Sequence, residues 1–514
     1  MGTALDAASR GYRTLLLEQH DFGKGTSSRS TKLVHGGVRY LKQGDILLVL
    51  EALKERGLML RNAPHLVKNQ SFVIPAYDWW EGPFYTVGLK MYDVMAGKMG
   101  LGPSRHISRQ ETIAALPNIE PQQLRGGIIY QDGQFDDARM LTSMALTCWN
   151  YGGFPVNYVK VTGLSRKNGR ISGVRARDEE SGEEFGIGAK AVVNATGVFA
   201  DEILRMDTPD APGMIRPSQG IHLVVDEKFL QGPNAIMVPS TSDGRVMFAV
   251  PWYNRVVLGT TDTPLEEASL EPRPLDQEID FILNTAGQYL VKKPEREDVL
   301  CAFAGLRPLA APQNQEKTSK EISRSHKVMV SDSGLISVIG GKWTTYRKMA
   351  EDAVDSAVKV GELPERDCLT RSIRIHGYEG EEGDWSTPLH VYGTDRGEIE
   401  GLKVPVQDAA KESTLNARSG DGEYLSESLQ IRRSQILWAA RKEMARTLED
   451  VLARRTRALF LDARESMAMA PEAARIMADE LGHNSEWIRE QMEGFRSLAE
   501  KYLVDRKMDA EELL

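Results

Sequence analysis

Three short apolar runs, spread over a chain of 514 residues, constrain the fold more than any other feature. They are Leu15-Leu16-Leu17, Ala191-Val192-Val193 and Leu335-Ile336-Ser337-Val338-Ile339. None alternates between apolar and polar, which is the pattern of strands buried on both faces in a parallel sheet. Each also ends on an acid or a glycine: Glu18, Gly197 after Asn194-Ala195-Thr196, and Gly340-Gly341. Ahead of the first run, Ala4 to Ser9 reads as a helix stopped at Gly11. Helix, strand and terminal acid make the second half of a dinucleotide-binding βαβ unit. Only Met1 precedes Gly2, so the chain is read as short by the first strand and the G-x-G-x-x-G turn. The central strand position of the sheet is then expected to be vacant.

Between the runs the pattern changes. Asn168-Gly169 and Ser181-Gly182 are hairpin signals that make 156 to 193 a β-meander. From 215 to 330 the strands alternate, at Ile221 to Asp226, Arg245 to Trp252 and Val256 to Thr261, with a helix over Glu278 to Leu290. This predicts an antiparallel sheet set into an α/β protein. Residues 361–428, acidic and polar, read as a linker. Beyond it, Leu437, Ala440, Met444, Leu448, Val451 and Leu452 recur at the spacing of one packed helix.

Charge and cysteine content narrow the function. The net charge, 64 minus 73 or -9, argues against a nucleic-acid binder, which needs a basic surface. Residues 431–460 nevertheless hold eight Lys or Arg against three Asp or Glu, which is either a solvated basic helix face or an electrostatic foot on anionic lipid. Runs such as Ile46 to Leu50 fall far short of the roughly 20 apolar residues that span a bilayer, so any membrane contact is peripheral. Three scattered cysteines suggest neither a disulfide framework nor a metal site, and a cytoplasmic location is expected.

The segment Thr26-Ser27-Ser28-Arg29-Ser30-Thr31-Lys32-Leu33-Val34-His35-Gly36-Gly37-Val38-Arg39-Tyr40-Leu41 clusters hydroxyls ahead of two glycines. That suits donors around a phosphate and close approach to an aromatic ring, although alone it reads equally as a surface loop. With it go Asp136-Asp137-Ala138-Arg139, Val193 to Gly197, Gly220-Ile221-His222-Leu223-Val224-Val225, Gly259-Thr260-Thr261-Asp262, Ala304-Gly305-Leu306-Arg307-Pro308-Leu309 and Gly340-Gly341-Lys342-Trp343-Thr344-Thr345-Tyr346-Arg347. In this order the set resembles the FAD-dependent glycerol-3-phosphate dehydrogenases of the glutathione-reductase-like flavoprotein superfamily.

The resemblance implies an α/β fold: an FAD-binding Rossmann-like domain (1–60, 125–205 and 328–360) interleaved with an antiparallel-sheet substrate domain (61–124 and 206–327). An α-helical C-terminal cap (429–514) follows the linker. It implies FAD as cofactor, held by Glu18, Thr26, Ser27, Ser28, Gly36, Gly37, Ala195, Gly197, Gly341, Trp343, Thr344 and Thr345. The implied substrate is glycerol 3-phosphate, bound by Arg39, Tyr40, Arg307, Arg324 and Lys342, with hydride transfer to the flavin and a quinone as electron acceptor. His222 is the candidate base for the alcohol proton, with Arg307 or Lys342 steering the proton through water as the alternative. Thr344 is the expected cap of the following helix, and Asp137 and Arg139 are expected to pair with each other. A homodimer, oxygen as acceptor, or a noncatalytic anion-binding protein complete the expectations.

Overall fold

The computed structural model describes residues 1–37, 45–242, 244–311, 326–380, 385, 387–404 and 423–505. Its chain opens with α1 (Gly2–Ser9), β1 (Leu15–Leu17) and β2 (Leu33–Val34), then α2 (Ile46–Asn62), β3 (Val67–Ala76) and α3 (Glu81–Ala96). β4 (Arg105–Ser108), β5 (Gly126–Phe135), α4 (Asp137–Asn150) and β6 (Phe154–Val156) lead into the meander β7 (Val159–Lys167), β8 (Arg170–Asp178) and β9 (Glu184–Gly188). Then come β10 (Val192–Asn194), α5 (Ala200–Asp207), β11 (Ile215–Asp226), β12 (Ala235–Val238), β13 (Met247–Trp252), β14 (Arg255–Gly259), β15 (Thr263–Pro264) and α6 (Asp276–Tyr289). β16 (Val299–Ala310), β17 (His326–Val330), β18 (Leu335–Gly340) and α7 (Tyr346–Val360) close the α/β part. The C-terminal region is α8 (Arg433–Lys442), α9 (Ala463–Leu481) and α10 (Ser485–Ala499).

The three apolar runs form the parallel pairs of two separate small sheets, the parallel layer, with no strand joining them among the described residues. β1 pairs in parallel with β6, and β10 with β18, while β17 adds an antiparallel edge. α1 packs between α4 and α7 over this layer, burying Leu5, Ala8, Met140, Met144 and Cys148. The meander forms as expected, because Asn168 and Gly169 both take the left-handed backbone (φ 51° and 79°) that a tight hairpin requires.

The second layer is a ten-stranded sheet in which β11, β14, β13, β12, β3 and β5 follow one another, with β16 on β11. Here the expected boundaries shift. β5, which falls in the segment assigned to the FAD-binding domain, pairs along its whole length with β3. The segment read as a linker is also packed: Ile375, Leu389, Val391, Tyr392 and Ile399 are buried against α1 and α4.

The C-terminal helix read as continuous is broken. α8 ends at Lys442, Met444 is left-handed (φ 56°), and Asp450–Arg455 winds into a single wide π-helical turn. Leu437, Leu448, Val451 and Leu452 are still buried, in a core that includes Trp252, Phe303 and Phe460. The basic run is solvated only in part: Arg441 and Lys442 are exposed, while most of its arginines are held in ion pairs. Arg433 pairs with Glu472, Arg441 with Glu480 and Arg446 with Glu180, while Arg454, Arg455 and Arg457 are buried in ion pairs. Asp137 and Arg139 are both buried but do not pair. Asp137 meets Lys32 and Arg457, and Arg139 makes a two-pronged bond to Glu443 at 2.8 and 2.7 Å.

Candidate functional site

β16 is where the motifs meet. It lies against β11, β18 and the turns at Thr26–Ser28 and Gly197–Phe199. Two side-chain bonds fasten these parts: Thr26 Oγ1 donates to Leu306 O at 2.7 Å, and Trp343 Nε1 donates to Ser27 O at 2.8 Å. Residues separated by some three hundred positions thus border one region. The Asn194 side chain holds the turn after β10, donating to Ala200 O and accepting from Thr196. Ala195 is exposed at that turn and Gly197 is left-handed (φ 62°).

Arg307 projects from β16 into a set of oxygens. Its Nη1 donates to Gln219 O (3.1 Å) and Asp262 (3.2 Å), and its Nη2 to Thr260 Oγ1 (3.2 Å) and Thr261 O (2.9 Å). Asp262 is fixed in turn by Ser218, and the Thr261 and Thr263 hydroxyls by the buried Glu278. Gly220 makes the room, since a Cβ there would collide with the guanidinium. The Gly259-Thr260-Thr261-Asp262 motif therefore orients Arg307, a task its sequence did not reveal because Arg307 lies on β16, some 45 positions further along the chain.

His222, on β11, faces Gly259 and Phe303 across its two neighbouring strands. Its ring stacks on Phe303 at 4.9 Å, and a Cβ at Gly259 would collide with it. Nε2 shares a 2.8 Å hydrogen bond with Thr31 Oγ1, while Nδ1 has no partner among the described residues. Burial, then the nearby Lys32 and Arg307 cations, push the imidazole well below its ordinary value. His222 is thus a neutral, enclosed ring reached through Thr31, rather than an open base titrating near neutrality. Lys32 itself is fully buried among Trp252, Phe303 and Phe460, and burial, only partly offset by Asp137, brings it down to about 8.

Lys342 leaves β18 after the left-handed Gly340 and Gly341 (φ 76° and 93°). Trp343 packs edge-on against Phe135 and Tyr346. Thr345, not Thr344, precedes α7, and it makes no capping bond. Arg39, Tyr40 and Arg324 lie outside the described residues.

The donor set fits FAD. The Glu18 carboxylate is raised by burial and accepts one bond, from His20 N at 3.1 Å, which leaves acceptor capacity for ribose hydroxyls. Gly36 is indispensable to the loop's packing, because its N–H donates to Tyr92 Oη at 2.9 Å where a Cβ would strike Tyr92 and Leu53. Residues 1–347 match the family model described as FAD dependent oxidoreductase, and residues 338–488 the C-terminal domain of alpha-glycerophosphate oxidase. The mitochondrial glycerol-3-phosphate dehydrogenase of Mesocricetus auratus is 40% identical over 518 residues, covering 96% of this chain and 70% of the relative.

The chain belongs to the FAD-dependent glycerol-3-phosphate dehydrogenase family. A Schizosaccharomyces pombe mitochondrial member is 38% identical, with 94% of this chain and 82% of that one covered. The solved glycerol-3-phosphate dehydrogenase from Bacillus halodurans, complexed with FAD, superposes with a TM-score of 0.76 at 28% identity, covering 99% and 94% of the two chains. FAD is the cofactor of this dehydrogenase family, and the flavin layer and helical C-terminal region expected from the sequence are both present.

Proposed function

We propose that the protein oxidises sn-glycerol 3-phosphate to dihydroxyacetone phosphate and passes the electrons to a quinone. The observation that carries this reading is the oriented Arg307 guanidinium beside the neutral His222–Thr31 pair, on strands that border the FAD-binding turns. Arg307 supplies charge-assisted bonds to the phosphate dianion by exchanging the Asp262 and Thr260 contacts of its terminal nitrogens for phosphate oxygens, and Lys342 adds a second cation at the exit of β18. As the alcohol is oxidised, its proton passes to Thr31 Oγ1 while Thr31 passes its own to His222 Nε2, and because burial and the Lys32 and Arg307 cations disfavour a charged ring, His222 holds that proton only until water takes it up. FAD, when bound, supplies the acceptor for the hydride that leaves carbon 2. In the same reading the substrate lies over the antiparallel layer and the cofactor over the parallel one.

Membrane contact belongs on a different surface from the basic run. Phe84, Val87, Met91 and Val94 recur at helical spacing along α3 and are exposed, Val94 by 81%. Trp79 and Trp80 stand exposed at its start, and Ile46, Leu47 and Leu50 on the adjoining α2 extend the face. Apolar helix faces edged by tryptophan suit the interfacial zone of a bilayer, and no helix among the described residues is long and apolar enough to cross one.

The test is turnover of the FAD-loaded protein with glycerol 3-phosphate and a short-chain ubiquinone. Equal yields of quinol and dihydroxyacetone phosphate are expected. Peroxide formed in air at the full turnover rate would replace the quinone by oxygen, and a folded protein that stays colourless with added FAD would remove the enzyme reading.

A further inference from the structure

The arginines of the C-terminal turn are spent on the cofactor segment. Arg455 grips Asp21 through both terminal nitrogens at 2.7 and 2.8 Å, and Arg454 reaches the same carboxylate through Nε at 2.5 Å. Asp21 lies three residues beyond Glu18. Arg457, whose own backbone is left-handed (φ 66°), donates to Ser28 O at 3.0 Å and Asp137 at 3.1 Å. Lys32 bonds the same two groups, each at 2.7 Å. Both ends of the stretch that holds Glu18, Thr26, Ser27 and Ser28 are therefore fixed from residues 454–457. The turn is itself tied down: Tyr158 Oη donates to Asp450 at 2.7 Å, and Lys24 pairs with Glu449 at 2.5 Å.

We propose that Arg454, Arg455 and Arg457 are positioning residues that hold segment 18–28 in the shape FAD requires, so that FAD affinity depends on the docked C-terminal helices. The proposal rests on the flavin reading above. Its physical basis is that these charges are almost wholly buried, so removing one partner leaves an uncompensated charge inside the protein and the segment must rearrange. Coupling of this kind is reciprocal: FAD binding must stabilise the turn by as much as the turn stabilises FAD binding.

The experiment uses the full-length chain stripped of flavin and titrated with FAD, followed by flavin fluorescence, with the melting temperature of each apoprotein measured alongside. Arg457→Met should weaken FAD binding by tenfold or more, and Arg457→Lys, which keeps the cation, by threefold or less. In the wild type, FAD should slow amide exchange across residues 446–457 at least threefold. Tyr158→Phe removes no charge and should weaken FAD by two- to fivefold; it decides the matter by the same criterion if Arg457→Met does not fold. A folded Arg457→Met (or, in its place, Tyr158→Phe) that binds FAD within twofold of wild type, or exchange in 446–457 indifferent to FAD, would overturn the clamp even if the melting temperature falls. Wild-type protein that takes up no FAD overturns the flavin reading itself, and the clamp with it.

Discussion

Arg307 and His222 show how one strand neighbourhood gives two side chains opposite electrical tasks. The guanidinium is kept charged and aimed by Asp262 and by backbone carbonyls, whereas the imidazole is kept neutral by burial and by the cations around it. The pH dependence follows from that sign. A histidine held well below 6.5 in the folded protein stays unprotonated as the pH falls through 6.5, so kcat/KM should show no protonation limb centred there. A limb at 6.5 in the pH profile would mean that the ring is open to water. Thr31→Val should lower kcat by roughly 10²-fold, the low end of a lost proton-transfer step, with KM little changed, and Thr31→Ser should restore most of it. Arg307→Lys keeps the charge but loses the planar fork. Charge-assisted hydrogen bonds contribute about 1.5–3 kcal/mol, so KM should rise about 10- to 100-fold while bound flavin, read from its absorbance, is unchanged.

At the scale of elements, local chemistry was legible and distant partners were not. The Asn168–Gly169 hairpin and the glycine exit of β18 follow from backbone preferences that a few residues carry within themselves. Arg139 shows the opposite case, since its partner Glu443 lies 304 positions away and nothing near Asp137 hints at it. Gly220 and Gly259 belong with Arg139: their motifs were visible, but their reason, space for Arg307 and His222, exists only once β11, β14 and β16 are side by side. Gly220→Ala should therefore shift Arg307 and raise KM with a smaller effect on melting temperature, and unchanged KM would show that the guanidinium has other room. The apolar face of α3 went unread in the sequence, because its exposure depends on what packs elsewhere. Replacing Phe84, Val87 and Val94 by serine should reduce co-sedimentation with lipid vesicles several-fold and leave turnover with a water-soluble acceptor intact. Retained sedimentation would remove α3 from the membrane contact.

For the molecule as a whole, the parallel layer was anticipated from three apolar runs, whereas the charge balance was not, because composition counts charges without saying which ones meet. The basic run at 431–460 is largely paired with acids from elsewhere in the chain, two of its arginines with Asp21 alone. This internal neutralisation makes acid stability a test of the assembly. Burial alone would raise the Asp21 carboxyl, but Arg455 and Arg454 outweigh it and bring it down to about 2, against 3.8 when unfolded. Glu449 is likewise brought down to about 2, by Arg454 and Lys24 against the effect of burial. A carboxyl depressed in the folded state contributes stability that is complete above the unfolded value and is lost as the pH falls through the folded one. Asp450 works against it, because burial and Asp21 raise its carboxyl, so protonation there relieves strain as the medium becomes acid. Asp21→Asn should accordingly melt well below wild type at pH 6, with the gap narrowing between pH 4 and pH 2 as the wild type loses what the variant never had. Thermal unfolding of both proteins across that range checks it, and a gap that stays constant with pH would show that Asp21 does not take up the proton on unfolding.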